Sequence, residues 1–399
     1  MKALYFENKL GNIVALKIAS SFTKSAAFAP FSPFKYSEVE QPEIPNPRWL
    51  KVKNRACGLC GSDIHFIFMD INTKCFPAAT PGISRKYLGH EMVGEVVELG
   101  AEVKGFKIGD RVSLRLDWPS CFQMEIDPSC QQCAAGNYML CENLGKKQMP
   151  TVDTGGGFSP YMIMHRSQPY KVPDFLNDDE AVLLEPTAVA VHGVMKHTPN
   201  KGDKVLVIGG GTIGLLTIAV AKVMQPEAEI YCLARYPFQA NMATKLGTKG
   251  IVFDNENAYE QIARITEAKY FEGYFKNRIL LGGFDIIYDT VGNDTTIRDA
   301  LRWVRGKGTV VILGINFQPG KIDYTPIWHQ EIKVTGINCH ATEYERKSSF
   351  DIAAELLGDK KVNIEGMITH RFPLERYREA IEAFLSKGKS RAIKIVIEH

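Results

Sequence analysis

The sequence predicts an α/β protein of two domains, one a small and mostly antiparallel β-barrel, the other a doubly wound parallel sheet covered by helices. At 399 residues, the chain is longer than a single hydrophobic core usually supports. Residues 50–112 alternate between apolar and polar side chains and are punctuated by glycine. From residue 183 onward, longer apolar runs alternate with helical stretches, which indicates a parallel sheet.

Local periodicity gives the elements of each domain. In the barrel region, short strands with glycine turns are predicted at 50–58, 92–100 and 106–114. In the second region, strands are predicted at 204–209, 229–234, 250–253, 285–289, 309–314 and 332–337. The tail predicts helices at 351–357 and 375–388, followed by a strand at 392–397. The Ser-, Ala-, Phe- and Pro-rich stretch 20–34 is predicted to be a long surface loop, with a lid or subunit contact as the alternative.

The charge balance argues against a polyanionic partner. The chain has 48 basic and 45 acidic residues and a net charge of +3. This near balance gives no electrostatic reason to expect binding to nucleic acid or to an anionic membrane, so a small-molecule substrate is expected. The opening MKALYFENKL lacks the apolar core of a signal peptide, and no segment reaches the length of a membrane span. We therefore expect a cytoplasmic protein.

Nine cysteines are an odd number for a chain large enough to fold without disulfides. Five of them fall in two local clusters, around Cys57 and around Cys130. Metal ligands or free thiols are expected rather than disulfide bonds.

A nucleotide-binding turn is predicted by KVLVIGGGTIGLLTIAVAKVM at 204–224. Within a strand–turn–helix, Gly209 makes the tight turn, Gly211 lets a pyrophosphate approach, and Gly214 lets helix and strand pack closely. The helix N-terminus attracts phosphate through its unpaired N–H groups. A glycine-rich turn without a ligand is the alternative. Further residues assigned to this cofactor site are Thr212, Ile213, Val291 and Gly314.

The end of the next strand indicates which nicotinamide cofactor is preferred. Ala234 occupies the position where an acidic residue would bind the adenosine ribose hydroxyls, and Arg235 follows it. With no carboxylate to repel a 2′-phosphate and a guanidinium to hold one, NADP(H) is predicted over NAD(H). Tyr236 either stacks on the adenine or faces solvent.

Candidate zinc ligands precede the glycine loop. They combine thiolate, imidazole and carboxylate donors, and such a set with one open position is typical of catalytic zinc. The candidates are Cys57, Cys60, His65, His90, Glu91 and Glu185. Each alone could be a core cysteine or a solvated acid, so the prediction depends on their occurring together.

Five motifs occur in the order found in zinc-containing medium-chain dehydrogenases, and the sequence resembles that family over most of its length. They are CGSDIH at 60–65, GHEMVGEVVELG at 89–100, GDRV at 109–112, EPTAVAVHG at 185–193 and the glycine loop. The Glu-Pro pair is similar to the polyol, sugar and threonine dehydrogenase branch. The resemblance implies a GroES-like catalytic domain formed by 1–184 and 318–399, a Rossmann domain at 185–317, and a homodimer or homotetramer.

The resemblance also implies roles for individual residues. Cys60 and His90 match the first two catalytic zinc ligands, and Glu185 matches a third ligand or one linked through water. Glu91 matches a carboxylate that binds the zinc directly in some relatives and contacts the zinc ligands in others. Asp63 matches an acid that contacts the zinc ligands without binding the metal. Ser62 and His65 match the hydroxyl and imidazole that carry the substrate proton to solvent. Zinc lowers the pKa of a bound hydroxyl, so no strong base is needed. His65 could instead be structural.

IDPSCQQCAAGNYMLCEN at 126–143 resembles the structural-zinc lobe of this family with its first cysteine missing. Cys130, Cys133 and Cys141 match three ligands, and the fourth position falls on Asp127. A carboxylate can complete a zinc tetrahedron with three thiolates. Cys121 is the competing fourth ligand, and a lobe without metal is the remaining alternative.

Four insertions depart from the lengths usual in the family. They lie near 12–35, within 66–88, at 113–125 and near 269–283. Long loops beside a cleft often carry binding residues, so the first three leave the substrate open. The last is expected to serve packing alone.

The sequence therefore predicts a zinc-dependent oxidoreductase that interconverts an alcohol and its carbonyl compound by hydride transfer with a nicotinamide cofactor. A secondary alcohol, polyol or sugar is expected, with a threonine or amino-alcohol substrate as the alternative. A zinc-free enone or quinone reductase is opposed by Cys60, His90 and Glu185. A non-catalytic zinc-binding or redox-sensing protein leaves the glycine loop unexplained, and no basic stripe supports a nucleic-acid module.

Overall fold

The computed structural model describes residues 1–80, 82–115, 118–255, 257–344 and 347–399, and its internal contacts divide them into two units. The first comprises Met1–Glu185 and Ile368–His399, and the second comprises Pro186–Met367. The first boundary falls inside helix α4 (Asp178–Lys196).

The division by contacts differs from the predicted domain boundaries after residues 184 and 317. The larger difference concerns residues 318–367, which belong to the second unit. The reason is that strand β16 (Lys333–Gly336) pairs with β15 (Val304–Ile312) and extends the parallel sheet of that unit.

The first unit is built mainly of strands. These are β1 (Lys2–Glu7), β2 (Phe34–Glu38), β3 (Trp49–Gly58), β4 (Arg85–Tyr87), β5 (Glu91–Leu99), β6 (Arg111–Leu114), β7 (Tyr161–His165), β8 (Pro169–Lys171), β17 (Ile368–Pro373) and β18 (Lys394–Glu398). Its helices besides the start of α4 are α1 (Leu10–Ser20), α2 (Gly61–Phe68), α3 (Gln131–Ala134), α11 (Tyr377–Leu385) and α12 (Lys387–Ser390).

Strand β3 organises the first unit because it pairs antiparallel with β5, β7 and β18. Its buried side chains, among them Trp49, Leu50 and Val52, lie in the core. The pairing of β3 with β18 places Val396 of β18 opposite Gly58 of β3. The mostly antiparallel GroES-like domain is thus confirmed, and the predicted strand at 392–397 corresponds to β18, which lies between β17 and β3.

The second unit alternates strands and helices. Its strands are β9 (Lys204–Ile208), β10 (Glu229–Ala234), β11 (Gly250–Phe253), β12 (Lys269–Glu272), β13 (Arg278–Leu281), β14 (Phe284–Asp289), β15 and β16. Its helices after α4 are α5 (Thr212–Met224), α6 (Pro237–Lys245), α7 (Ala258–Thr266), α8 (Asp294–Trp303), α9 (Thr325–His329) and α10 (Ser349–Gly358).

The main sheet of the second unit is parallel, with the described strands in the order β11-β10-β9-β14-β15-β16. Strand β9 lies between β10 and β14, so the chain reverses direction across the sheet after β11. Ligands of such sheets bind outside the carboxyl ends of the strands at this switch point. The predicted Rossmann architecture is confirmed, and the glycine loop follows β9.

Two of the insertions form regular structure. Between the paired strands β1 and β2 the chain forms α1 and a 3-10 turn at Lys24–Phe28. The surface loop predicted at 20–34 is therefore wrong in part, since Ala26 and Ala27 are buried in the core. The segment near 269–283 forms the β12–β13 hairpin. Pro81, Leu116 and Asp117, within the other two insertions, lie outside the described residues. None of the helices that the structure describes has the length and apolarity needed to cross a membrane.

Candidate active site and metal centres

Helix α2 begins at the motif that the sequence singles out. Cys60 is its N-cap, and the Cys60 thiol accepts a hydrogen bond from a backbone N–H in the first turn. Asp63 returns the bond, accepting the backbone N–H of Cys60 at 3.0 Å. This reciprocal capping box satisfies two donors at the helix start and fixes the direction of the thiol.

Asp63 also connects the two loops that carry candidate ligands. Its other oxygen accepts the backbone N–H of Gly89 at 3.1 Å and lies 3.7 Å from His90 Nδ1. Burial raises the pKa of Asp63, and the nearby His90 ring opposes that rise. Gly89 has φ of +85°, and a Cβ there would lie 2.8 Å from the backbone nitrogen of Phe158. The loop before His90 is therefore fixed by both a buried acid and a required glycine.

Cys60, His90 and Glu91 come together at one point. One potential ligand atom from each lies within 4.8 Å of the other two. Cys60 and His90 are half-buried, and Glu91 is buried. A thiolate, an imidazole and a carboxylate at this spacing are donors that zinc accepts.

Glu91 does not depend on a metal for a countercharge. The Lys394 ammonium contacts Glu91 Oε2, and both side chains are 2% exposed. Lys394 also donates to the Leu59 carbonyl at 3.2 Å. Gly58 leaves room for the pair, because a Cβ there would lie 2.2 Å from Glu91 Oε2 and 2.5 Å from Lys394 Cε.

The charges around Lys394 identify the surroundings of this pair. Burial acts to lower the pKa of Lys394, but the negative charges of Glu91, Cys60 and Glu185 outweigh it and raise the pKa. Glu185 is 7% exposed. It is outside the group of three mutually close ligand atoms, yet its charge acts on the same lysine. Its contact with the metal stays a prediction.

Two candidates for proton transfer lie on α2. Ser62 and His65 are three residues apart, so they share one face of the helix, and both are half-buried. His65 Nδ1 lies 3.5 Å from a carboxylate oxygen of Asp70, whose side chain is 54% exposed. An exposed acid beside the imidazole can orient the ring towards solvent.

A second group of cysteines forms a separate cluster. One sulfur from each of its four members lies within 4.8 Å of the others, and the members are Cys121, Cys130, Cys133 and Cys141. The sulfurs of Cys121 and Cys141 are 3.7 Å apart. Four thiolates at ~2.3 Å from a tetrahedral zinc would be about 3.8 Å apart, so the cluster fits a structural zinc.

The structure groups Cys121 rather than Asp127 with the other three cysteines, which favours the competing fourth ligand over Asp127. Cys121 joins the cluster because the backbone turns back after Cys121 and Ile126 N–H bonds to the Cys121 carbonyl at 2.8 Å. The Cys121 thiol is buried and accepts the Cys130 N–H at 3.3 Å, whereas Asp127 is exposed. Burial acts to raise the pKa of Cys130, but hydrogen bonds from the backbone of Cys133 and Glu142 lower it to about 6.

The glycine loop of the second unit has the local geometry that nucleotide binding requires. Gly209 has φ of +105°, and a Cβ there would lie 2.8 Å from Thr290 Oγ1. A Cβ on Gly214 would lie 1.8 Å from the Gly209 carbonyl oxygen. Helix α5 can therefore pack this closely against the loop only because residue 214 is glycine. Gly211, the N-cap of α5, faces open space. Thr212 and Ile213 begin that helix.

A second loop approaches the glycine loop at the ends of β14 and β15. The backbone N–H groups of Val291 and Gly292 both donate to Asp289 Oδ1 at 2.9 Å. A Cβ on Gly314 would lie 2.2 Å from the Val291 carbonyl carbon. Val291 and Gly314 thus lie at the carboxyl edge of the sheet, held there by the buried Asp289.

Strand β10 ends at the predicted specificity position. Ala234 is buried and Arg235 is exposed, with its guanidinium 5.7 Å from the centroid of the Tyr236 ring. Tyr236 stacks on Phe238 with centroids 5.6 Å apart. Arg235 forms no ion pair with any residue that the structure describes, so its charge is available to a ligand.

Sequence reasoning missed Lys394, Gly58 and Asp289. For Lys394 a signal exists, since a single lysine interrupts the apolar run AIKIVI at 392–397. A charge in the middle of a buried strand indicates a buried partner. The identity of that partner depends on which strands pair, which no local pattern reveals.

Comparison with known proteins gives matches along most of the chain. Residues 46–174 match the family model of the alcohol dehydrogenase GroES-like domain, and residues 212–383 match that of the zinc-binding dehydrogenases. A sorbitol dehydrogenase of Halalkalibacterium halodurans is 30% identical, over 91% of this chain and 95% of the relative. D-arabinitol dehydrogenase 1 of Uromyces fabae is 27% identical, over 92% of this chain and 94% of the relative.

Solved structures show the same architecture. 2R,3R-butanediol dehydrogenase from Bacillus subtilis has a TM-score of 0.72 and 25% identity, with 100% of this chain and 99% of that chain covered. A zinc-binding dehydrogenase from Sinorhizobium meliloti 1021 bound to NADP has a TM-score of 0.73 and 26% identity, with the same coverage.

Proposed function

Since the chain belongs to the zinc-binding, medium-chain alcohol dehydrogenases, in their polyol-dehydrogenase-like branch, we propose that it interconverts a secondary alcohol, polyol or sugar and the corresponding ketone or aldehyde. As a family member it is a zinc-dependent alcohol oxidoreductase that uses a nicotinamide cofactor. The observation that carries the proposal is the convergence of Cys60, His90 and Glu91 beside the helix that bears Ser62 and His65.

In this proposal Cys60 and His90 would hold the zinc, and Glu185 would be a further ligand or one linked through water. Zinc supplies a Lewis acid that lowers the pKa of the substrate hydroxyl. Ser62 accepts the hydroxyl proton, and His65 passes it to solvent. A bound nicotinamide cofactor would supply the acceptor for the hydride, which carries two electrons away from the substrate carbon.

A polyol or sugar is favoured by the relatives, which include sorbitol and arabinitol dehydrogenases. A hydroxy-amino acid such as threonine is the second candidate, because the Glu-Pro motif is shared with that branch. We would test both classes by following reduced nicotinamide in a panel of polyols, sugars, simple secondary alcohols and threonine, each with NADP and NAD. Turnover of threonine alone would exclude the polyol assignment, and turnover of none would exclude both.

Removing the guanidinium of Arg235 is expected to raise the KM for NADP about 10- to 100-fold. The reason is that a hydrogen bond to a charged group contributes about 1.5–3 kcal/mol. The KM for NAD should change less than about twofold, since NAD lacks the 2′-phosphate. Steady-state kinetics of Arg235→Ala with both cofactors measures this. A wild-type enzyme that prefers NAD would contradict the proposed preference.

Replacing His65 is expected to slow alcohol oxidation mainly at low pH, where proton removal limits the rate. We expect His65→Ala to lower kcat roughly tenfold at the acidic end of the profile and little at alkaline pH, where hydroxide takes the proton. Asp70→Asn, which keeps the imidazole and removes only the neighbouring carboxylate, is the comparison variant and should keep most of the wild-type kcat at the acidic end. A uniform loss at every pH would show that His65 is structural.

The four-cysteine cluster predicts two zinc ions per subunit. Cys121→Ser should lower the metal content from two to one and reduce thermal stability, whereas Asp127→Ala should leave both values unchanged. The exposed Asp127 is the matched control, since the sequence pattern alone favours it. Metal analysis by mass spectrometry and thermal unfolding are the measurements. Loss of zinc from Asp127→Ala with retention in Cys121→Ser would reverse the assignment.

A further inference from the structure

The β12–β13 hairpin has two distinct faces. Its register pairs Lys269 with Leu281, Tyr270 with Leu280, Phe271 with Ile279, and Glu272 with Arg278. Directly paired residues of antiparallel strands point to the same side, and successive pairs alternate. One face therefore carries the Tyr270–Leu280 and Glu272–Arg278 pairs, and the other carries the Phe271–Ile279 and Lys269–Leu281 pairs.

The first of these faces is packed on the domain. Leu280 is 1% exposed and lies in the hydrophobic cluster that contains Trp303. Arg302 donates to the Asn277 side chain at 2.8 Å and to the Arg278 carbonyl at 3.0 Å. These contacts hold the second strand of the hairpin from its buried middle, at Leu280, to the turn, at Asn277, so the hairpin presents its other face as a rigid element.

The second face and the tip are apolar and exposed. The exposed fractions are 48% for Phe271, 42% for Ile279, 48% for Leu281, 91% for Tyr274 and 103% for Phe275. We call these five residues the hairpin patch. Glu272, the acidic residue of the hairpin, lies on the first face. It pairs with Arg278 at 2.9 Å and accepts a hydrogen bond from the Tyr270 hydroxyl at 2.7 Å.

The backbone holds the tip aromatic outward in a costly conformation. Phe275 and the neighbouring Lys276 both have φ of +57°. The left-handed region is disfavoured for residues other than glycine because the Cβ crowds the following carbonyl oxygen. Such strain persists where the surrounding structure over-determines it, and such positions cluster at binding sites.

The size of the patch indicates what covers it. Each aromatic side chain can bury roughly 150–250 Å², so three aromatic and two aliphatic residues offer an area of several hundred Å². The largest apolar patch on a typical monomer is about 300–600 Å², and each partner in a standard interface contributes about 800 Å². Phe271, Ile279 and Leu281 are about half exposed, so the patch supplies a large part of the area that one subunit needs, and the residues around it would supply the rest.

We propose that the hairpin patch is an interface between two copies of this chain, which pack patch against patch across a two-fold axis. A two-fold contact must be self-complementary. The patch meets this condition because it is apolar throughout, and Lys269 and Lys276 lie at its two ends rather than at its centre. The rigid aromatic side chains Phe271, Tyr274 and Phe275 are its expected anchors.

The number of subunits in solution tests this proposal. Light scattering after size-exclusion chromatography and sedimentation velocity would compare the wild-type protein with Tyr274→Ser/Phe275→Ser. We expect the variant to contain half as many subunits, with a dissociation constant raised at least about 100-fold by the loss of two anchors. Phe22→Ser, which removes an aromatic side chain 86% exposed in the first unit, is the matched control and should assemble as the wild type does.

A second variant, Phe271→Ser, acts on the sheet face without altering the strained tip and should weaken assembly in the same direction. Circular dichroism would verify that each variant is folded. The proposal is overturned if the wild-type chain is monomeric at all concentrations. A monomer that binds phospholipid vesicles through this patch would overturn it as well, because the partner would then be a membrane. It is equally overturned if both hairpin variants keep the wild-type number of subunits.

Discussion

Replacing Cys60 with serine is expected to remove the catalytic zinc and to lower kcat/KM by at least about 1,000-fold. The Cys60 thiol is one of the three ligand atoms within 4.8 Å of one another, and its direction is fixed by the Asp63 capping box. A Lewis acid stabilises the charge that develops on oxygen by several kcal/mol, and each 1.36 kcal/mol corresponds to a tenfold change in rate. Metal analysis and steady-state kinetics on the same preparation measure both effects.

The matched control is Cys57→Ala, three residues earlier in the chain. Cys57 is fully buried, and burial raises the pKa of its thiol well above its usual value, so it stays protonated. Its sulfur packs against Gly89 and Gly157, where an added Cβ would lie 2.9 and 2.4 Å from it. We expect this variant to lose some stability but to keep its zinc and its activity. Full activity of metal-free Cys60→Ser would refute the zinc-dependent mechanism for this chain.

Replacing Lys394 with methionine is expected to destabilise the first unit by about 3–5 kcal/mol, because Glu91 would become a buried charge without a partner. Both members of the pair are 2% exposed, so solvent cannot compensate for the loss. In a domain of this size the melting temperature should fall by roughly 6–20 °C. Thermal and denaturant unfolding should be measured after chelation, so that zinc cannot neutralise Glu91 instead.

The double variant Lys394→Met/Glu91→Gln distinguishes a lost pair from lost packing. Because the amide carries no charge, we expect it to recover at least half of the lost stability. Lys389→Met, which removes an exposed lysine from the same region, should change stability by less than about 0.5 kcal/mol. Equal stability of the single and double variants would show that Glu91 does not need the lysine.

Local patterns predict the strands and the glycine loop because their causes are local. The apolar runs of the second unit become the inner strands β9, β10, β14 and β15 because a strand covered on both faces must be mostly apolar. Gly209 and Gly214 are required because a Cβ there would clash with the Thr290 side chain or with the Gly209 carbonyl, whereas Gly211 leaves open space at the start of the helix. Both kinds of constraint are visible in a short window of sequence.

Contacts between distant residues explain what could not be predicted. Spacing along the chain favours Asp127 as a zinc ligand, but the turn after Cys121 brings a thiol into that position instead. Lys394 reaches Glu91 only because β18 pairs with β3. The segment 318–367 joins the second unit because β16 adds to its sheet. Each outcome depends on tertiary pairing, which periodicity does not encode.

The pairing of β18 with β3 also sets the order in which the molecule can assemble during translation. Lys394 follows Glu91 in the chain by about 300 residues, which at ~5–20 residues per second is on the order of 15–60 s of synthesis. The whole segment 186–367 leaves the ribosome in that interval and can fold while β3 still lacks β18. Until Lys394 arrives, the Glu91 carboxylate has to remain hydrated. Strands β3 and β18, and with them the Glu91–Lys394 pair, can therefore come together only after the second unit has been synthesised.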